Sequence, residues 1–119
     1  MATLHRLSDH RRKARSVFFS RRELDQLLSL YSRQVMRGEW RDYAIDQQDN
    51  SAVFSIFRRA QERPLYSIVK FAPGAGRQGE FAIMMGPRRL ASGSVLADVL
   101  ASLQKRLPAA RPVEIEQYR

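Results

Sequence analysis

The hydrophobic pattern of the chain is clearest in two β-rich runs near its centre. Val, Ile, Phe and Tyr dominate residues 52–57 and 65–71, and a polar link that ends in Pro64 separates the two runs. Such side chains fit a pleated, partly buried surface, and Pro cannot donate a hydrogen bond to a ladder. The pattern therefore predicts a β-hairpin, around which the other elements are arranged.

An amphipathic helix is predicted before this hairpin. Ser20 and Glu23 have the spacing of a capping box, in which a hydroxyl and a carboxylate satisfy the free amide groups of the first turn. Gly38 is placed to end the helix. The predicted apolar stripe consists of Leu24, Leu27, Leu28, Tyr31 and Val35.

Two further strands and a second helix complete the predicted order. The first strand spans residues 40–46, and the fourth spans residues 81–85 and stops at Gly86 and Pro87. The second helix opens at residues 92–94 and is closed by Pro108. Its predicted stripe consists of Val95, Leu96, Val99, Leu100, Leu103 and Leu107.

The order helix, four strands, helix predicts an α+β fold. The links between strands are too short for parallel crossovers, so the sheet is expected to be an antiparallel meander. We expect one domain over residues 17–108, behind a flexible basic arm of residues 1–16. In the tail, residues 109–119, apolar residues alternate with polar ones, which predicts a short edge strand.

Both faces of the predicted central strands are apolar. Two helices cover one face, so the second face is expected to meet the terminal segments, another copy or protein, or a ligand. The first set is Phe54, Ile56, Tyr66, Ile68, Phe81, Ile83 and Met85. The second set is Val53, Phe57, Leu65, Val69 and Phe71.

The composition offers little for catalysis. The 119 residues include no Cys, so thiol nucleophiles, disulfides and thiolate metal sites are excluded. Both His residues lie in the arm, and the G-x-G-x-x-G of residues 74–79 precedes a strand rather than the helix that the dinucleotide fingerprint requires. We expect no enzyme, cofactor, metal or membrane span, and a location in the cytoplasm.

The positive charge is unevenly distributed. Of the formal net charge of +9, a large share lies in residues 1–22, which hold seven basic residues and one acid. A basic arm is typical of contact with nucleic acid or an acidic membrane, although a solvated tail has the same composition. Basic residues also alternate with aromatic ones further along the chain. The candidate nucleic-acid-binding residues are Arg11, Arg12, Lys13, Arg15, Trp40, Arg41, Tyr43, Arg58, Arg59 and Arg77.

The stretches 38–46, 53–59 and 64–66 resemble a family of small alphaproteobacterial proteins known as a domain of unknown function. The likeness extends over roughly residues 17–107 and implies a compact bacterial protein. The order of elements is also similar, at the level of fold, to the repeat of the PUR family of single-strand nucleic-acid binders. We therefore expect a non-enzymatic binder of RNA or single-stranded DNA. The alternative is a protein-interaction or accessory subunit whose apolar sheet face docks a partner.

Overall fold

Two helices flank five consecutive strands in the computed structural model, which describes residues 17–59, 63–75 and 80–107. This order confirms the predicted α+β class. The predicted arm, the tail and Arg77 lie outside the described residues. The elements are α1 (Arg21–Met36), β1 (Asp42–Gln48), β2 (Ser51–Phe57), β3 (Tyr66–Phe71), β4 (Phe81–Met85), β5 (Arg88–Gly93) and α2 (Leu96–Arg106).

The strands form one antiparallel meander in sequence order, with five strands rather than the four predicted. Gly86 and Pro87 do not end the sheet but form a two-residue hairpin loop, because Met85 pairs with Arg88. Gly86 has a φ of +60°, and Pro fixes the next φ near −65°, which suits a type II′ hairpin. The fifth strand therefore lies between this turn and α2.

Helix α1 begins with the predicted capping box. The Ser20 amide donates to Glu23 Oε1 at 2.7 Å, and the Glu23 amide donates to Ser20 Oγ at 3.1 Å. Gly38, at a φ of +77°, follows the last turn as predicted. The buried stripe differs, because Leu30 is buried while Val35 is 39% exposed.

One hydrophobic core fills the space between the helices and the first face of the sheet. Phe54, Ile56, Ile68 and Ile83 have no exposed surface, and they share the core with apolar side chains of α1 and α2. β1 begins two residues later than predicted, and Trp40, just before it, enters this core with 2% exposed. The core accounts for the first of the two apolar sets apart from Met85, which is 38% exposed.

The opposite side of the sheet, called here the second sheet face, has no helix of the described chain on it. On β2, β3 and β4 this face includes Val53, Ser55, Phe57, Ser67, Val69, Phe71, Ala82 and Met84. The predicted position of Leu65 on this face is wrong, because Leu65 precedes β3 and packs against the core. The two helices thus cover one face, as expected.

Candidate nucleic-acid interface

The antiparallel meander brings alternate strand termini to the same end of the sheet. Tyr66, at the start of β3, pairs with Ile56 near the end of β2, and Arg88 at the start of β5 pairs with Met85 at the end of β4. Asp42 at the start of β1 pairs with Phe57. The starts of β1, β3 and β5 therefore meet the ends of β2 and β4.

Both helices end at this same end of the sheet. Lys70, late in β3, binds Glu23 in the first turn of α1. Further along α1, Tyr31 contacts Trp40, which lies just before β1, with ring centroids 6.2 Å apart. In α2, Arg106 Nη2 donates to the Leu90 carbonyl of β5 at 3.2 Å. Each helix therefore runs from the opposite end toward the strand termini just described.

This arrangement concentrates positive charge, and the surface is called here the basic end. Among the described residues it holds ten basic side chains, against only two carboxylates, Glu39 and Asp42. The ten are Arg33, Arg37, Arg41, Arg58, Arg59, Arg63, Arg88, Arg89, Lys105 and Arg106. Nine of the ten are exposed, and Arg37 is partly buried. The other half of the described structure holds Arg21, Arg22 and Lys70 against Glu23, Asp25, Asp46, Asp49, Glu80 and Asp98.

Part of this charge also has a structural role. Arg33 in the last turn of α1, and Lys105 and Arg106 in the last turn of α2, lie where the helix dipole favours cations. The helix dipole does not explain the positions of the arginines in strands and loops. Their shared position follows from the topology, because each lies at a strand terminus on one end of the meander.

All five described candidate residues lie at the basic end. The Arg41 amide donates to the Phe57 carbonyl at 2.9 Å, which places Arg41 beside Arg58, and Arg59 follows directly. Trp40 and Tyr43 flank Arg41 in the chain. The other five candidates, Arg11, Arg12, Lys13, Arg15 and Arg77, lie outside the described residues.

The prediction that Trp40 offers its ring to a base is wrong for this fold. The indole is 2% exposed and lies between Tyr31 and Tyr66, with ring centroids 6.2 Å from each. A buried ring presents no face to a base. Trp40 instead supports the basic end from within the core.

Tyr43 is the more accessible aromatic side chain. Its ring stacks on Phe54 with centroids 5.1 Å apart and contacts Tyr31 edge-on at 4.9 Å, yet the residue is 39% exposed. Burial raises the pKa of Tyr31 above its ordinary value of 10.0, and electrostatic interactions with Asp42 and Tyr43 raise it further. The Tyr31 phenol is therefore neutral at physiological pH. Tyr43 therefore offers a partly accessible aromatic ring two residues from Arg41 in the chain.

Sequence reasoning missed most of the basic end. Arg88 and Arg89 belong to β5, which was not predicted, and Arg63 joins the cluster only because β3 starts beside the end of β2. The signal that was available is the Gly86-Pro87 pair, since Gly at the first position of a two-residue loop is typical of a hairpin.

A shallow groove of about 410 Å³ lies between the two helices. Six of its nine lining residues are polar or charged, among them Arg22, Asp25, Ser29 and Arg33. No His lies within the described ranges, and no group of three or more His, Cys, Asp or Glu there is arranged to hold a metal ion.

Neither helix in the described part of the chain combines the length and apolar character that crossing a membrane requires. No curated protein matches the chain, and no solved structure matches it, so the likeness to the PUR repeat stays an analogy of element order. A family model described as "Protein of unknown function (DUF2794)" matches residues 17–100, from the start of the described structure into α2. The chain therefore belongs to this family of proteins of unknown function, DUF2794.

Proposed function

We propose that this protein binds RNA or single-stranded DNA through the basic end, without catalysing a reaction. The observation that carries the proposal is the separation of charge along the strands, with ten basic side chains at one end and most of the described acids at the other. Positive charge gathered on one surface attracts phosphates and releases their counterions. A charge excess spread evenly over the protein would not form a localised phosphate-binding surface.

The chemistry of the side chains suits a phosphate backbone. Nine of the ten basic residues are Arg, whose planar fork binds phosphate oxygens in a bidentate manner. Tyr43, partly exposed beside Arg41, is suited to stack against an unpaired base. This pairing of arginine and an accessible aromatic ring favours a single strand, whose bases are free to stack.

The arm extends the same interface in this proposal. Its Arg11, Arg12, Lys13 and Arg15 add phosphate contacts that are not specific for sequence. Arg77 is a further candidate contact outside the described residues. The absence of Cys is compatible with the cytoplasm, where we place the protein.

The location of the site is tested with two matched pairs of arginine substitutions in the full chain. Arg58→Gln with Arg88→Gln removes two charges from the basic end, whereas Arg21→Gln with Arg22→Gln removes two exposed charges from the first turn of α1. Both variants have the same net charge. Titration of a labelled oligonucleotide at three salt concentrations gives the slope of log affinity against log salt for each.

We expect the basic-end variant to lose about 1.4 of that slope, because each single-strand phosphate contact contributes roughly 0.7. The Arg21/Arg22 variant should keep the slope of the unmodified chain. Equal losses in the two variants would mean that only total charge matters, and an unchanged basic-end variant would place the site elsewhere.

The second sheet face favours a protein-interaction subunit as a second candidate function. Its larger apolar side chains are only partly buried, with no described helix over them. Docking through such a face depends weakly on salt, whereas phosphate binding depends on it steeply. The salt series therefore separates the two functions.

A further inference from the structure

The two edge strands of the sheet are protected to different degrees. β5 has a bulge at Leu90, carries the charges of Arg88 and Arg89, and lies against α2. Arg106 of α2 donates to the Leu90 carbonyl at 3.2 Å, and Arg89 and Ser92 make further interactions within the chain. Bulges, edge cations and a covering helix are the usual means by which proteins keep an edge strand from pairing with another chain.

β1 lacks these protections. Its seven residues, Asp42–Gln48, pair with β2 in a regular register, and they include no Lys, Arg, Pro or bulge. Six of the seven are exposed, and in the described part of the chain no strand lies on the outer side of β1. A regular, uncovered edge is a template on which another strand can pair.

The hydrogen-bond register shows which backbone groups of β1 point outward. The Ala72 amide donates to the Asn50 carbonyl at 2.9 Å, so even-numbered residues of β2 bond to β3 and odd-numbered ones bond to β1. The latter pair with the even-numbered residues of β1. Consistent with this, the Tyr43 amide donates to Asp42 Oδ1 at 2.8 Å. The residues of β1 whose N–H and C=O groups point outward are therefore Tyr43, Ile45 and Gln47.

A strand added at this edge would meet two different rows of side chains. On the first face of the sheet, Tyr43 and Ile45 are 39% and 48% exposed, so α1 leaves them accessible at the edge. On the second sheet face, Asp42 and Asp46 present exposed carboxylates. Successive residues of an added strand alternate between the faces. Apolar side chains would therefore suit one row, and basic side chains would suit the other.

These rows do not suit a second copy of β1. An antiparallel β1–β1 pair about a two-fold axis puts Asp42 and Asp46 of both copies on one face, where four carboxylates repel each other. The arm is basic, but its only sizeable apolar residues are Met1, Leu4 and Leu7, so it lacks the alternation. A segment of another protein that alternates basic and apolar residues fits both rows.

We propose that the outer edge of β1 binds an extended segment of another protein, in which basic side chains alternate with apolar ones. The segment adds a sixth strand to the sheet. Its backbone pairs with the outward N–H and C=O groups of β1, and the two rows of side chains select its sequence. The site lies along the side of the sheet and stands whether or not the basic end binds nucleic acid.

The side-chain rows are tested with a fluorescent peptide of four Lys-Val repeats, titrated with the full chain and followed by anisotropy. We expect binding, and we expect Asp46→Lys to weaken it about tenfold or more, because like charges then face each other. Asp25→Lys, the same reversal at an exposed position of α1, should bind the peptide like the unmodified chain. A peptide of equal composition in the order Lys-Lys-Val-Val, repeated, should bind at least about tenfold more weakly, because it cannot match both rows.

The backbone pairing is tested in the unmodified chain by amide hydrogen exchange. In the complex, the amides of Ile45 and Gln47 should exchange about tenfold or more slowly than in the free chain, because they gain acceptors in the added strand. The Lys-Val peptide methylated at every backbone amide keeps its side chains and charge but cannot donate to a ladder. It should not bind.

Several results would overturn the proposal. They are no binding at about 1 mM Lys-Val peptide, equal weakening by Asp46→Lys and Asp25→Lys, and unchanged exchange of Ile45 and Gln47 in the complex. Protection of these two amides in the free chain would mean that the edge is already occupied. The occupant would be the arm if neutralising the arm removes the protection, and a second copy if dilution does. Thermal melting followed by circular dichroism checks that each variant is folded.

Discussion

Replacing Trp40 with Ala should lower the free energy of unfolding by about 3–5 kcal/mol, the usual cost of removing a large aromatic side chain from a core. The indole is 2% exposed and touches the rings of Tyr31 and Tyr66, so its loss leaves a cavity that those rings fill only in part. Such a cost is a large fraction of the stability of an ordinary domain. Urea unfolding followed by circular dichroism measures it.

Phe18→Ala is the matched control for this substitution. Phe18 is also aromatic but is 65% exposed, and its contact with Lys70 is made by the backbone carbonyl. We expect Phe18→Ala to change the unfolding free energy by no more than about 0.5 kcal/mol. A Trp40→Ala variant as stable as the unmodified chain would contradict the core position of the indole.

Replacing Glu23 with Ala should cost about 2–3 kcal/mol, because one carboxylate serves two partners. Glu23 Oε1 accepts from the Ser20 amide at 2.7 Å and from Lys70 Nζ at 2.8 Å. The Glu23 and Lys70 side chains are only 18% and 17% exposed, so Lys70 would lose its paired charge in a largely buried position. Asp25→Asn, an exposed change in the same helix, should cost less than about 0.5 kcal/mol.

The Glu23 contribution should depend on pH. Burial acts to raise the pKa of Glu23, but the hydrogen bonds from Lys70 and from the Ser20 backbone outweigh it, and the net pKa lies below the ordinary 4.5. A lowered folded-state pKa gives stability that is complete above the ordinary value and is lost as pH falls through the lower one. The difference in unfolding free energy between the unmodified chain and Glu23→Gln should therefore shrink from pH 7 to pH 3, and a difference independent of pH would contradict this pairing.

The local rules predicted those elements whose signals lie close together in the chain. The limits of α1 were predicted from Ser20, Glu23 and Gly38. The hairpin at the centre of the sheet was predicted from the alternation of side chains in residues 52–57 and 66–71. The excess of apolar positions on both faces also indicated that two helices would leave one face without a helix. These signals act over a few residues, so they need no knowledge of the tertiary fold.

Other features depend on contacts between distant residues. β5 has polar residues and two arginines, and only its pairing with β4 makes it a strand. Val35 fits the helical period as well as Leu30, and the packing angle of α1 on the sheet decides which is buried. The burial of Trp40 follows likewise from the position of the residues just before β1 against α1.

The basic end could not be read from segment charges. Its arginines come from four strand termini and two helix ends, separated by up to about seventy residues in the chain. Counting along the sequence directed attention to the arm, whereas the meander gathers charge in the folded domain. Nucleic-acid binding through the arm and binding through the basic end should therefore respond differently when the arm is changed.

The most direct test of the account is the salt dependence of oligonucleotide binding by a full chain whose arm has been neutralised. Arg6, Arg11, Arg12, Lys13 and Arg15 are replaced together by Gln, and binding of a labelled single strand is titrated at three salt concentrations. If the basic end binds several phosphates, affinity should still fall as salt is raised. We expect a fall of roughly 0.7 log units per remaining contact for each tenfold increase in salt concentration. Loss of binding at low salt, or a slope near zero after neutralisation, would contradict the central claim.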